Sequence, residues 1–255
     1  MKNLTKHFFL IVIVALLYSC TNDKDIKGKI FVKMIETTID NISETSVFKY
    51  YENQLISSEN SKQKIEYSYA NGLITRIVSY NKGNQLSTVV DYSYVNGKLT
   101  QVTSSENYVI YYKFNTDGTI LYEKYNGSAK IEGNKIHHGV LYFKNKNLVK
   151  NEFVLDVTEG SKQVSSKITY DYDQYNNPYK SILGFSKLLD QGANISVNNV
   201  VMTIVENTVV DGDKSTSSAK MYTASYKYDA DNYPIEQVSH SSMNNPNYSK
   251  IQYLY

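Results

Sequence analysis

The sequence contains a single cysteine, a single arginine and no tryptophan. Because Cys20 has no second cysteine to pair with, no disulfide forms within the chain, and stability must come from packing and strand pairing. Because Arg76 is the only arginine, the planar guanidinium forks that bind phosphates and carboxylates are nearly absent. The single cysteine excludes a scaffold stabilised by internal disulfides, and the single arginine argues against a site that binds phosphate through an arginine cluster.

The charge balance argues against a nucleic-acid partner. Residues 1–19 contain Lys2 and Lys6 and no acidic residue, so the rest of the chain keeps 25 of the 27 basic side chains, against 25 acidic ones. A nucleic-acid-binding domain normally carries a clustered basic excess. We therefore predict no nucleic-acid partner.

Residue patterns typical of catalytic and metal sites are also missing. Serines are plentiful, but none lies in a nucleophile-elbow pattern, and no glycine-rich phosphate-binding loop occurs. His137 and His138 are adjacent, so on a strand they point to opposite faces and cannot bind one metal ion together. Asp229 and Asp231 are interpreted as turn formers, because the glycine and the distal glutamate of a calcium loop are missing. We predict a non-enzymatic protein with no cofactor and no metal site.

The N-terminal apolar run is too short to cross a membrane. Residues 8–17 are ten consecutive apolar residues behind Lys2 and Lys6, whereas a spanning helix needs about 20. A basic start followed by a short apolar run is typical of a secretory signal peptide.

The end of this run, Leu17-Tyr18-Ser19-Cys20, resembles the lipobox of bacterial lipoproteins. That resemblance implies cleavage before Cys20, acylation of Cys20, and anchoring to the outer membrane, on either the cell surface or the periplasmic face. The alternative is a free or buried cysteine behind an ordinary secretory signal. We predict a lipoprotein signal at 1–19, the acylated cysteine with a flexible tether at 20–28, and a single β-rich domain at 29–255.

Two copies of one pattern predict β-hairpins. Residues 65–77 read IEYSYANGLITRI, and residues 90–102 read VDYSYVNGKLTQV. Asn-Gly between alternating runs is typical of a two-residue hairpin turn, which needs positive φ at both positions. Counting outward from the turns predicts four cross-strand pairs that share one face of the sheet: Tyr69–Ile74, Tyr67–Arg76, Tyr94–Leu99 and Tyr92–Gln101.

Looser copies extend the pattern along the chain, with Asp117-Gly118, Gly133-Asn134 and Asn145-Lys146 among the predicted turns. The fold class predicted is all-β: an antiparallel meander of repeated hairpins curled into a half-barrel or an open barrel-like sheet. One short helix is expected near residues 178–189, where apolar residues recur at helical spacing behind Asn177 and Pro178.

Two later segments, YDYDQYNNP and YKYDADNYP, place Tyr170 and Tyr172 in register with Tyr226 and Tyr228, 56 positions later. These segments resemble the YD-type hairpin repeats of bacterial Rhs-like shells. Together with the lipobox, the layout is similar to uncharacterised lipoproteins of Gram-negative bacteria. The chain is too short for a shell that encloses a toxin, so the resemblance implies repeated β-hairpins and lipidation, and no encapsulating role.

The 25 tyrosines suggest two interpretations. Tyrosine suits strands and packs across them, so the residues can be purely structural. Alternatively, a tyrosine-rich face binds a glycan, a peptide or a partner envelope protein, since tyrosine offers rigid contact area. A second functional hypothesis is a carrier of a lipid or other apolar ligand in the curled sheet. The candidate binding face comprises Tyr67, Tyr69, Arg76, Tyr92, Tyr94, Tyr226 and Tyr228.

Overall fold

The computed structural model describes residues 28–38, 40–156, 162–241 and 249–255. The predicted signal peptide, the lipidation site at Cys20 and all of the predicted tether except Gly28 lie outside the described residues.

The described chain forms sixteen strands and three short 3-10 helices, the latter at Glu132–Asn134, Phe185–Lys187 and Leu189–Ile195. The strands are β1 (Lys33–Thr38), β2 (Ser43–Tyr51), β3 (Gln54–Glu59), β4 (Gln63–Ala70), β5 (Leu73–Asn81), β6 (Ser87–Val95), β7 (Lys98–Ser104), β8 (Tyr108–Phe114), β9 (Ile120–Asn126), β10 (Lys135–Lys144), β11 (Asn147–Leu155), β12 (Lys162–Asn176), β13 (Asn198–Asp211), β14 (Lys214–Tyr228), β15 (Pro234–Ser241) and β16 (Ser249–Leu254).

Each strand pairs antiparallel with its sequence neighbours, which confirms the predicted all-β meander of hairpins. The prediction of a half-barrel or open sheet is wrong, because β1 also pairs with β16 and closes the barrel. In this last pairing Met34 lies opposite Tyr253 and Glu36 lies opposite Ile251. Closure satisfies the backbone groups that an open sheet would leave at its two edges.

The Asn-Gly turns form as the repeated pattern predicts. Asn71 and Gly72 have φ of 51° and 73°, and Asn96 and Gly97 have φ of 51° and 71°. Tyr69 pairs with Ile74, and Tyr94 pairs with Leu99, as expected.

The next predicted pairs, Tyr67–Arg76 and Tyr92–Gln101, are wrong because a β-bulge follows each turn. Tyr67 pairs with Ile77, and Tyr92 pairs with Val102. The extra residue is Thr75 in the first repeat and Thr100 in the second. Each threonine donates its hydroxyl to the carbonyl of the serine across the hairpin, at 3.3 and 3.1 Å. The bulge turns Arg76 to the face opposite the tyrosines.

Residues 177–197, which we call the plug segment, cross one end of the barrel. The Leu183 amide donates to the Asn53 carbonyl in the β2–β3 turn at 2.9 Å, and the Val197 amide donates to Asn147 Oδ1 beside the β10–β11 turn at 3.0 Å. Ile182, Leu188 and other apolar plug residues join the core inside the barrel. We call this end of the barrel the closed end and the opposite end the loop end.

The helix predicted near residues 178–189 does not form. The plug segment holds two 3-10 helices instead, Phe185–Lys187 and Leu189–Ile195. Gly184 lies in the left-handed region at φ 73°, and Gly192 breaks the second helix at φ 57°. A Cβ at Gly184 would lie 3.0 Å from the Gly72 carbonyl oxygen, so the segment can approach the β4–β5 turn only through a glycine.

Candidate ligand-binding lumen

Strand alternation gives the barrel an inner and an outer face, and the inner face is sealed at the closed end. There the inward side chains Leu55, Ile74 and Leu99 are 0–1% exposed beneath the plug segment. At the loop end, inward Thr38 and Ser218 are exposed to solvent. In the part of the chain that the structure describes, the lumen therefore resembles a cup with its floor at the closed end.

All six tyrosines of the predicted binding face point into the lumen. Tyr92 is buried in the core. Tyr67, Tyr69 and Tyr94 are partly buried and pack against this core. Arg76 does not join them, because it lies on the outer wall with its Nε 2.6 Å from Asp91 Oδ1. The predicted face is therefore divided between the two sides of the barrel wall.

Several of these tyrosines use their hydroxyls to tie neighbouring hairpins together. The Tyr94 hydroxyl donates to the Ile74 carbonyl at 2.8 Å, and the Tyr226 hydroxyl donates to the Val200 carbonyl at 2.8 Å. The Leu55 amide donates to the Tyr69 hydroxyl at 3.0 Å. Tyr228 donates to Asp173 in a short hydrogen bond. In these four residues the hydroxyl forms a hydrogen bond within the barrel, which fits the purely structural interpretation of the tyrosines.

Tyr67 and Tyr92 line a lumenal cavity of about 380 Å³ above the plug segment. Eight of its twelve lining residues are apolar or aromatic, and one acidic and one basic residue reach it. The lining residues are Ile65, Tyr67, Ile77, Ser79, Val90, Tyr92, Tyr108, Ile110, Lys124, Phe185, Asp190 and Gln191. A smaller cavity of about 190 Å³ shares Ile110, Lys124 and Asp190 with it and extends towards His137.

Asp190 is the acidic group of this cavity. The Tyr92 hydroxyl donates to its Oδ2 at 3.0 Å, and Gln191 Nε2 donates to the same oxygen at 3.3 Å. Its Oδ1 is buried and has no hydrogen-bond partner among the described residues. Burial raises the pKa of the Asp190 carboxyl, and burial together with the nearby carboxylate raises the pKa of the Tyr92 phenol.

Lys124 is the basic group of this cavity. Its ammonium lies 4.0 Å from the centre of the Tyr108 ring, within the range of a cation–π contact. His137, which faces the same side of the sheet, has its pKa lowered, chiefly by burial and further by the positive charge of Lys124. His137 is therefore uncharged at neutral pH.

Tyrosines also line a second lumenal cavity, of about 370 Å³, between the plug segment and β13–β16. Tyr222, Tyr226 and Tyr253 face it together with Gln237. The tyrosine lining thus extends to both sides of the lumen, beyond the first two repeats.

The outer wall carries charged side chains along its strands, and the pairs Arg76–Asp91, Lys150–Glu152 and Lys167–Glu206 lie near the middle of theirs. Five ion pairs with N–O distances of 2.6 to 2.9 Å lie on this wall: Lys64–Glu66, Arg76–Asp91, Lys150–Glu152, Lys167–Glu206 and Lys227–Glu236. Most of these side chains are exposed by about a third or more. Barrels that span a membrane present an apolar band instead, in which a lysine or arginine at the bilayer midplane costs about 2–4 kcal/mol.

His137 and His138 point to opposite faces of β10, as predicted. His137 faces the lumen, whereas His138 lies on the outer wall with Nδ1 2.9 Å from Asp156 Oδ2. Among the described residues, no three His, Cys, Asp or Glu side chains are placed to hold a metal ion. No helix in the same residues is long and apolar enough to span a bilayer.

Sequence reasoning missed Asp190 and Lys124. For Lys124 a signal exists: it follows Ile120 and Tyr122 at alternate positions, so it is a cation on the apolar face of β9. Asp190 gives no such signal, because it lies directly beyond the apolar spacing of the predicted helix near residues 178–189.

No known family model matches this sequence, and no curated protein sequence matches it. Solved structures of porin-like proteins are similar, among them two crystal structures from Bacteroides. A porin-like protein from Bacteroides vulgatus is 14% identical with a TM-score of 0.53, covering 89% of this chain and 99% of that chain. A porin-like protein from Bacteroides uniformis is 11% identical with a TM-score of 0.50, covering 88% of this chain and 96% of that chain. The likeness is one of fold. At these identities it extends to the closed antiparallel barrel and to no residue of the lumen.

Proposed function

We propose that the protein is a non-enzymatic lipoprotein that is anchored to the outer membrane through Cys20 and binds a small ligand inside its barrel. The likeness to porin-like proteins supports a role of the outer-membrane type. The sequence Leu17-Tyr18-Ser19-Cys20 supports lipid anchoring.

In this proposal the barrel stands in water and not in the bilayer. The outward ion pairs support this placement, because a charged pair at mid-strand would lose its hydration in hydrocarbon. The acyl chains at Cys20 would then supply the membrane affinity, at about 0.8 kcal/mol for each buried CH₂.

The observation that carries the binding role is the tyrosine-lined cup. The plug segment closes one end, and Tyr67 and Tyr92 face a cavity of about 380 Å³ above it. Small-molecule sites are typically concave, mostly apolar and about 300–1,000 Å³ in volume. Because those side chains point inward, the ligand must be small enough to enter the lumen, which argues against a partner envelope protein on the tyrosine face.

The test is to purify the lipidated protein from its native envelope and to identify extracted small molecules by mass spectrometry. Ser79→Trp fills the cavity from its wall, and Ser93→Trp adds the same bulk to the outer wall. We expect the same ligand to co-purify with the wild type and with Ser93→Trp, and to be lost with Ser79→Trp. A protein that carries no small molecule, or a Ser79→Trp variant that retains it fully, would contradict the proposal.

The carrier of an apolar ligand is a second candidate, favoured by the wall that Ile65, Ile77, Val90, Ile110 and Phe185 contribute to the cavity. The extraction distinguishes it from a glycan or peptide receptor. A hydrocarbon-rich molecule would support the carrier, whereas a saccharide or peptide would support the receptor.

A further inference from the structure

One carboxylate oxygen of Asp190, Oδ1, receives no hydrogen bond from the described residues. Oδ2 receives the Tyr92 hydroxyl and the Gln191 side-chain amide, whereas Oδ1 is buried and unpartnered among the described residues. A buried polar atom without a partner destabilises the folded protein, and more so when the group is charged. A ligand that brings one donor to Oδ1 would remove this destabilisation on binding.

Lys124 complements Asp190 on the same cavity. A carboxylate only accepts hydrogen bonds, and an ammonium only donates them. Lys124 is held over the Tyr108 ring at 4.0 Å and reaches both the larger cavity and the smaller one. The two charges have opposite signs, so the cavity favours neither a cation nor an anion.

A hydroxyl group is a small neutral substituent that can both donate to Asp190 and accept from Lys124. The remaining wall offers apolar and aromatic contact through Ile65, Ile77, Val90, Ile110 and Phe185. We propose that the lumen binds a neutral, largely apolar molecule through a hydroxyl group that donates to Asp190 Oδ1, with Lys124 as the facing donor. This inference rests on the proposed lumenal binding and adds the chemical class of the ligand.

The test measures displacement of the neutral fluorophore N-phenylnaphthylamine from the folded, full-length protein. Any co-purified ligand is first extracted from the lumen. Four competitors share one chain length: 1-decanol, decyl methyl ether, decylamine and decanoate. We expect 1-decanol to displace the fluorophore at a concentration about tenfold lower than the ether, which has no donor. The amine and the carboxylate should both be weaker than the alcohol, because Lys124 repels the first and Asp190 repels the second.

Asp190→Asn keeps the side-chain volume and a partner for Tyr92 but removes the carboxylate. We expect it to reduce the preference for alcohol over ether to less than about threefold while the fluorophore still binds. Asp171→Asn is the matched control, because Asp171 is exposed on the outer wall of β12. It should leave the preference unchanged.

The possible failures separate the two proposals. If the fluorophore does not bind, or binds equally to the wild type and to Ser79→Trp, lumenal binding itself is overturned. If it binds in the lumen but alcohol and ether compete equally, or Asp190→Asn behaves as the wild type, the hydroxyl assignment is overturned and lumenal binding stands. A preference for decylamine or decanoate over 1-decanol would likewise overturn the assignment.

Discussion

At Gly139 the backbone of β10 passes directly beneath the Tyr122 ring. A Cβ at this position would lie 2.6 Å from Tyr122 Cζ and 2.5 Å from the Glu152 carbonyl oxygen. The ring has little freedom to move away, since its hydroxyl donates to Asn151 Oδ1 at 2.9 Å. The glycine therefore allows an inward tyrosine to lie across the neighbouring strand.

We predict that Gly139→Ala lowers the free energy of unfolding by about 1–3 kcal/mol, because both contacts must shift. Urea unfolding monitored by circular dichroism measures the change. Gly133→Ala is the matched control, since nothing lies within 4 Å of its Cβ position, and we expect a change within about 0.5 kcal/mol. An equal effect of the two substitutions would contradict the packing account.

The buried tyrosines predict alkaline instability. Burial raises the pKa of Tyr69 and of Tyr122 to about 12 each, against about 10 in an unfolded chain. A phenol whose folded pKa is raised contributes stability that is complete below about pH 10 and is lost as pH rises through about 12. We expect the free energy of unfolding to fall steadily across this window, with tyrosinate absorbance rising as the barrel unfolds. Ionisation of all tyrosines near pH 10 in an intact barrel would show that they are not buried.

At the scale of single residues, the sequence predicted turns well and side-chain direction poorly. Both Asn-Gly pairs adopt the positive φ that a two-residue hairpin turn requires, so both turns were predicted correctly. The bulges at Thr75 and Thr100 depend on hydrogen bonds across the hairpin, which residue alternation does not reveal. One extra residue was enough to move Arg76 to the other side of the wall.

At the scale of elements, the plug segment replaces a predicted helix. The apolar spacing of Ile182, Phe185 and Leu188 is helical, and all three residues are buried as a helix face would be. Gly184 and Gly192 adopt positive φ and interrupt the chain, so the segment follows the barrel floor in two short turns. The pattern identified an apolar segment correctly, but only the surrounding turns determine its backbone path.

Leu188 tests how strongly the plug segment stabilises the barrel. It is 0% exposed, whereas Leu86 in the β5–β6 loop is 67% exposed. We predict that Leu188→Ala lowers the free energy of unfolding by about 2–5 kcal/mol, because it leaves a cavity in the barrel floor. Leu86→Ala should change it by less than about 0.5 kcal/mol. If denaturant titration shows similar values for both, the plug segment is not part of the cooperative core.

At the scale of the whole molecule, the hairpin repeats predicted the meander of sequence neighbours but not its closure. Pairing of β1 with β16 joins residues 211 to 221 positions apart, and no local pattern in the sequence indicates it. The inward direction of the tyrosine side chains could not be predicted either. Alternation along a strand defines two faces but does not indicate which of them points into the barrel. Closure made the tyrosine-rich face a lumen, and the face that carries Arg76–Asp91 and the other ion pairs became the outer wall.

The central claim is that this barrel has a porin-like fold, stands in water and depends on Cys20 for its membrane attachment. The most direct test is fractionation of cells that express Cys20→Ala, with Ser19→Ala as a control that keeps the cysteine. We predict that Cys20→Ala is released as a folded protein that stays soluble without detergent, because the outer wall carries exposed ion pairs such as Arg76–Asp91. Ser19→Ala should remain with the membranes. A Cys20→Ala protein that stays in washed membranes and needs detergent for release would contradict the claim and place the wall in lipid.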